Sequence, residues 1–195
     1  MTRVIAGRAR GRRLESPRSA GTRPTGSRVK QTLFDILAPR LAGCRFLDLC
    51  AGTGAVGLEA LSRGARRVVL VERDPAAAAV IRRNVQLLAA DRGAVAVQAR
   101  ECLAALRELA RVREVFDVIY FDPPYDSALY EPVLEALSAP LLAEGAIVVA
   151  EHFHKRALPE TIGGLSRERA VRIGDHRLAF YRLAAVEQGG ASEPA

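Results

Sequence analysis

Phe116-Asp117-Val118-Ile119-Tyr120-Phe121-Asp122-Pro123-Pro124-Tyr125 is the stretch whose reading decides the fold. Its first part is an apolar, β-branched and aromatic run of strand type. Proline has no N–H to give a ladder, so the strand stops at Asp122. The stop leaves the Asp122 carboxylate, the Pro123 carbonyl and the Tyr125 ring at the strand's C-terminal edge. In an open α/β sheet, ligands sit in the crevice outside the carboxyl ends of the strands. Two acceptors one residue apart suit an –NH2 group, and the ring can stack on a flat base beside it. The plainer reading is a strand-to-loop stop with a surface Asp.

Outward from that strand the chain alternates between two periodicities. Phe46 to Cys50, Arg67 to Glu72, Val95 to Gln98, Val115 to Phe121 and Gly145 to Glu151 read as strands. Helices are expected from Arg28, through Leu58, Leu61 and Ser62, from Asp74-Pro75 to about Ala90, over 102–113 and over most of 127–142. Ser27 is the expected cap of the first helix, Val29, Leu33, Ile36, Leu37 and Leu41 its apolar face, and Pro39 its end. Strands alternating with helices give a parallel sheet. Glu168 to Ile173 and Arg177 to Leu183 then flank Gly174-Asp175 as a hairpin, which adds an antiparallel strand. The expected fold is α/β: a Rossmann-like sheet of seven strands, mostly parallel with one antiparallel, behind an N-terminal β-hairpin.

A chain of 195 residues suits one domain with a small appendage. Its net charge is +7, unevenly spread. Residues 1–40 hold ten Arg and Lys against two acids, while the rest hold nineteen basic against twenty acidic groups. The whole excess therefore lies on an N-terminal arm. Arg3-Val4-Ile5-Ala6 and Gly11-Arg12-Arg13-Leu14-Glu15 read as two short strands joined by a turn. That ribbon carries Arg3, Arg8, Arg10, Arg12 and Arg13, with Arg28 behind it. Arg suits bidentate phosphate contact, so the arm reads as a nucleic-acid face; a solvated tail is the other reading. The arm and its linker occupy 1–26, the body 27–185, and a small polar tail, expected to be disordered, 186–195. Because the helix–strand pattern begins at Ser27, the sheet is expected to fold without residues 1–13.

Cys44, Cys50 and Cys102 lack disulfide or metal-ligand spacing. They suit buried free thiols in a reducing cytoplasm, with no metal site. No apolar leader or membrane-length run is present, so no membrane partner is expected. A monomer is the expected state.

Gly52-Thr53-Gly54-Ala55-Val56-Gly57 fits a G-x-G-x-x-G turn between strand and helix, and Glu72 follows twenty residues after Gly52. NAD is one candidate for such a loop. Asp48, four residues before Gly52, argues against it, because a carboxylate there would face a pyrophosphate. S-adenosylmethionine (SAM) carries no phosphate but an ammonium and a sulfonium, both of which an acid favours. Glu72 can accept from ribose hydroxyls in either case.

With these residues assembled, the chain resembles the class I SAM-dependent methyltransferases that act on exocyclic amines. More narrowly it is similar to the RsmD-type small-subunit (16S) rRNA guanine-N2 methyltransferases. The resemblance runs from about Arg3 to Leu183. It rests on the arm from Arg3 to Leu14, Arg23-Pro24-Thr25, Arg28 to Phe34, Asp48 to Gly54, Gly57-Leu58-Glu59-Ala60 and Asp122 to Tyr125. The Asp-Pro-Pro-Tyr tetrad is shared by DNA adenine, protein glutamine and RNA guanine methylators, so the arm is the narrower mark.

The resemblance implies cofactor contacts from Asp48, Ala51, Gly52, Thr53, Gly54, Glu72, Arg73 and Asp122, and from Thr25 in a loop closing over the methionine end. Relatives usually place Asp or Asn after the third strand to meet the adenine amine. Here Arg100-Glu101 occupies that stretch, and Glu101 is the residue able to accept. The resemblance further implies a catalytic tetrad, Asp122, Pro123, Pro124 and Tyr125, acting on a guanine of 16S rRNA in an assembled or assembling small subunit. In standard rRNA numbering that base is guanine 966. The alternatives are a DNA adenine-N6 methyltransferase, which usually needs a target-recognition region, and a SAM- or dinucleotide-binding RNA module without turnover. His152, His154 and His176 are scattered and read as packing or surface residues.

Overall fold

Val68, Val69, Leu70 and Val71 are all buried, so the strand they form is covered on both faces. The computed structural model describes residues 2–16, 26–88, 93–137 and 139–184 and shows how. Strands β1 (Arg45–Leu49), β2 (Arg67–Glu72), β3 (Val95–Ala99), β4 (Phe116–Phe121) and β5 (Leu142–Phe153) run parallel. Three more, β6 (Thr161–Ile162), β7 (Leu165–Ile173) and β8 (His176–Leu183), pair antiparallel in sequence and join the sheet through β5. The order is β3-β2-β1-β4-β5-β8-β7-β6.

Helices α1 (Ser27–Leu41), α2 (Ala55–Ser62) and α3 (Pro75–Leu87) cover one face, where Leu33, Phe34, Leu58 and Ile81 pack on Phe46, Val68, Leu70 and Val118. Helices α4 (Cys102–Arg111) and α5 (Tyr130–Ala136) cover the other, where Leu106, Leu109 and Val133 pack on Leu47, Val69, Ile119 and Phe121. The winding reverses between β1 and β4, whose ends are in register at Leu49 and Phe121. That reversal opens a crevice at the strands' C-terminal ends.

The sheet has eight strands where seven were expected, and both β6 and β8 run against the parallel set. The extra strand is only two residues long, too short for a periodicity. Its signal was Gly163-Gly164, whose φ of +57° and +82° make the tight turn into β7. Gly26, not Ser27, holds the cap position of α1, and Pro39 lies inside the helix's last turn. The helix expected over 127–142 is shorter because the Ser127 hydroxyl accepts from Leu129 N at 3.1 Å and keeps the chain in a turn.

The N-terminal ribbon is a short antiparallel hairpin with one bridge, Arg3 to Arg13, flanked by Val4 N to Arg12 O at 3.0 Å and Leu14 N to Thr2 O at 2.9 Å, too brief for two regular strands. Its turn docks on the end of α2: Arg8 N donates to Ser62 O at 2.8 Å and Ala9 N to Ser62 Oγ at 2.9 Å. Gly7 has φ +78°, and a Cβ there would lie 1.9 Å from Ser62 O. Val4 and Leu14 are buried in the core of the α1–α3 face. The sequence expectation that residues 1–13 can be removed with the sheet intact takes no account of this docking: their loss would uncover Val4's contacts and the buried Glu59 beneath.

Candidate active site

The crevice at the ends of β1, β2 and β4 is a cavity of about 720 Å3. That lies within the usual range of small-molecule sites, roughly 300–1,000 Å3. Asp48, the loop Ala51–Thr53, Glu72, Arg73, Glu101 and Asp122 through Tyr125 all line it. The sequence spreads these groups over 78 positions, and the sheet brings them to one wall.

Local bonds shape the glycine loop. Ala51 N donates to Val71 O at 2.9 Å and Gly54 N to Ala51 O at 2.7 Å, with Gly54 at φ +76°. Gly57 has a different task. A Cβ there would meet Leu70 Cδ2 at 2.5 Å and Asp48 Oδ2 at 3.2 Å, so only a glycine lets α2 pack this closely on the sheet. Gly57 N donates to Asp48 Oδ2 at 2.8 Å. Asp48 is 1% exposed, and its pKa is pushed up to about 7. Burial is the main cause, the Glu72 charge adds to it, and the Gly57 N–H opposes it.

Glu72 accepts from Gly52 N at 2.8 Å and Asp74 N at 2.9 Å, so its carboxylate both shapes the loop and faces the cavity. Glu101 holds the cap position of α4 without a capping bond, 4.0 Å from Arg73; both are exposed at the rim. Thr53 is buried, and its carbonyl accepts from Asn84 Nδ2 at 3.0 Å. Asn84 also accepts from Glu15 N at 2.8 Å, tying the arm's end to the loop. Cys50 and Cys102 meet on the cavity wall, Sγ to Sγ 3.2 Å.

Asp122 is half-buried, and its N–H reaches Leu49 O at 3.4 Å. Pro124 O accepts from Ser127 N at 2.8 Å, which closes the turn after the strand. Tyr125 lies between this cavity and a second one of about 260 Å3, lined also by Arg28, Phe153 and His176. The Tyr125 hydroxyl is 3.1 Å from His176 Nε2 and 3.2 Å from Nδ1, and His176 Nδ1 is 2.5 Å from Glu151 Oε1. The other Glu151 oxygen accepts from the Tyr120 hydroxyl. The sequence reads His176 as a packing or surface residue and gives Glu151 no role; the available signal is an acid near the end of an apolar strand.

Arg3, Arg8, Arg10, Arg12 and Arg13 are exposed on the docked arm and line neither cavity, whereas Arg28 lines the second. Thr25 lies outside the described residues. Among the described residues no group of three or more His, Cys, Asp or Glu is arranged to hold a metal.

Asp48, Glu72, Glu101 and Asp122 give the cavity acidic walls. Such walls repel a pyrophosphate and suit a ligand carrying positive charge, which SAM does. Fold and site define a class I methyltransferase whose methyl donor is SAM. A family described as "Conserved hypothetical protein 95" matches residues 2–182. The Escherichia coli K12 protein named Ribosomal RNA small subunit methyltransferase D is 35% identical over 192 residues, 98% of this chain and 93% of that one. Its Haemophilus influenzae namesake is 39% identical over 135 residues, 69% of each chain. A solved structure of a hypothetical protein from Thermus thermophilus superposes with a TM-score of 0.79 at 34% identity, over 92% of this chain and 98% of that one. The chain belongs to the RsmD family of rRNA methyltransferases.

Proposed function

We propose that this chain transfers the methyl group of SAM to the exocyclic N2 amine of a guanine in 16S rRNA, guanine 966 in standard numbering. The substrate would be an assembled or assembling small subunit, met by a monomer in the cytoplasm. The observation that carries the reading is the position of Asp122 and Pro123: at the end of β4, on the acidic cavity wall, beside the Tyr125 ring. The name of the Escherichia coli relative supports small-subunit rRNA as the substrate.

When bound, SAM supplies an electrophilic methyl on a sulfonium. Asp48 would hold the ammonium, Glu72 the ribose hydroxyls, and Arg73 and Glu101 would stand at the adenine rim. Guanine N2 is a poor nucleophile because its lone pair is delocalised into the ring. The Asp122 carboxylate and the Pro123 carbonyl accept its two N–H bonds, draw the nitrogen toward tetrahedral geometry and aim its lone pair at the methyl. Tyr125 stacks on the base, and Pro124 fixes the turn that carries it. As the N–CH3 bond forms and the S–CH3 bond breaks to leave a neutral thioether, the nitrogen becomes acidic, and Asp122 or a water takes the proton. Positioning and electrostatics supply most of the rate. A stacked base is unreachable, so the guanine must be unpaired or flipped out. Residues 1–26 present the exposed arginines to phosphates, and the body from 27 to 185 holds the cofactor.

The test is mass spectrometry of rRNA nucleosides from cells with and without the protein, beside turnover of labelled SAM on purified particles. N2-methylguanine that appears only with the protein supports the reading. N6-methyladenine, or no turnover, ends it.

A further inference from the structure

Glu151 is buried in β5 at 1% exposure, and a buried carboxylate needs partners. One oxygen accepts from the Tyr120 hydroxyl, and the other from Nδ1 of His176 at 2.5 Å. Burial, with the nearby Asp122 and Glu151 charges, raises the Tyr120 pKa well above its ordinary value, so that hydroxyl remains a donor. Strand register explains the meeting. Phe153 lies opposite His176, and Glu151, two residues back, shares its face of the sheet. The same register brings the Phe153 ring to 5.9 Å and the His176 ring to 5.6 Å from the ring of Tyr125. The Tyr125 hydroxyl stands 3.1 Å from Nε2 and 3.2 Å from Nδ1; with Nδ1–H given to Glu151, Nε2 is the nitrogen with a lone pair to offer it.

The geometry points to Glu151 and His176 as positioning residues for methyl transfer: they hold the Tyr125 ring, through its hydroxyl, in the orientation in which it stacks on the target base. The inference rests on the function proposed above. Tyr125 stands between the cofactor cavity and the second cavity, so its ring angle sets the width of the slot a base must enter. A Tyr side chain otherwise chooses among staggered χ1 wells. A tether selects one before substrate arrives and spares that ordering on binding. Misplacement of a reacting group by about 1 Å can lower a rate by about 100-fold.

The experiment is a double-mutant cycle on the full chain, with Tyr125→Phe, His176→Ala and the pair. Tyr125→Phe keeps the ring and loses only the hydroxyl. Each single variant should lower kcat and raise KM for the particle, by about 10- to 100-fold in kcat/KM. SAM affinity should stay within a few-fold of wild type, which also reports that the fold is intact. The pair should be no worse than the poorer single variant, because both remove one contact. Effects that multiply, or wild-type kcat/KM in Tyr125→Phe, overturn the inference. If His176→Ala fails to bind SAM, the Tyr125→Phe result decides alone.

An arm without substrate separates this inference from the functional reading. The imidazole 15N spectrum of the wild-type protein should show His176 as the Nδ1–H tautomer with a hydrogen-bonded Nε2, and Tyr125→Phe should remove the Nε2 shift. An unshifted Nε2 overturns the tether whatever the enzyme methylates. A wild-type protein that forms no N2-methylguanine ends the functional reading and leaves the spectrum to judge the tether.

Discussion

Asp48 keeps its proton to about pH 7, so solution pH decides its charge. A cationic ligand favours the carboxylate, so below that pH binding must first release a proton. SAM affinity should therefore rise as pH rises through about 7 and level off above it. Calorimetry in buffers of different ionisation enthalpy would count the released proton. Asp48→Asn should bind more weakly at high pH and show neither the slope nor the proton; an unchanged slope would place the titrating group elsewhere. Asp122 is proposed to act in the chemistry. Asp122→Ala should lower methyl transfer by about 10²- to 10³-fold while SAM affinity stays within a few-fold, measured by single turnover and calorimetry. Near-wild-type turnover would remove its role as acceptor. Glu72→Ala should weaken SAM by about 1.5–3 kcal/mol, the range for hydrogen bonds to charged groups. These residues were legible in the sequence because each ends a strand or opens a turn, where local chemistry announces itself. His176 was not, since its meeting with Glu151, 25 positions away, depends on strand register.

At the scale of elements, the arm shows what composition leaves out. Its arginines announced charge, but its anchor is an acid on another element. Glu59 in α2 is fully buried and accepts from Ile5 N at 2.7 Å, Ala6 N at 2.9 Å and Arg63 Nε at 2.8 Å. Lys30 of α1, 3% exposed, lies 3.3 Å from the same carboxylate and donates to Arg3 O at 2.8 Å. Burial lowers the Lys30 pKa, and Glu59 pulls it back up. Glu59→Ala would leave an uncompensated buried ammonium and two orphaned backbone donors, and loss of one partner from a buried pair costs about 3–5 kcal/mol. Glu15→Ala removes the arm's pair to Arg83 of α3, but both side chains are about half exposed. Its expected loss is about 0–1 kcal/mol. Denaturant unfolding of the two variants checks the contrast; equal losses would mean that Glu59 does not anchor the arm. The parallel body was readable from its alternating periods, and the arm's two valine- and leucine-bearing segments were readable as a hairpin. That they enter the core was not, because Val4 and Leu14 are single apolar residues among arginines.

At the scale of the whole molecule, charge and chemistry are separated and then held rigid. The acidic cavity receives the cation, and the arm offers five exposed arginines, none in an ion pair among the described residues. Docking by Glu59 and Ser62 fixes those arginines relative to Asp122, so under the proposed function an RNA held by the arm would meet the tetrad in one register. Deleting the arm would confound binding with folding, so the test neutralises charge instead. Arg8, Arg10 and Arg12 changed together to Gln leave Glu59, Gly7 and Val4 untouched. SAM affinity and unfolding should stay near wild type. Binding to small-subunit particles should weaken, and the slope of log K against log salt should become shallower by about 0.7–0.9 for each phosphate no longer neutralised. Particle and naked 16S rRNA should be compared at matched salt, because an assembled particle fixes the surrounding phosphates and naked RNA does not. The expected result is N2-methylguanine from the particle with the intact enzyme, and little from naked RNA with either form. A triple variant that binds and methylates the particle as the intact enzyme does, with an unchanged salt slope, would show that the RNA lies on another face.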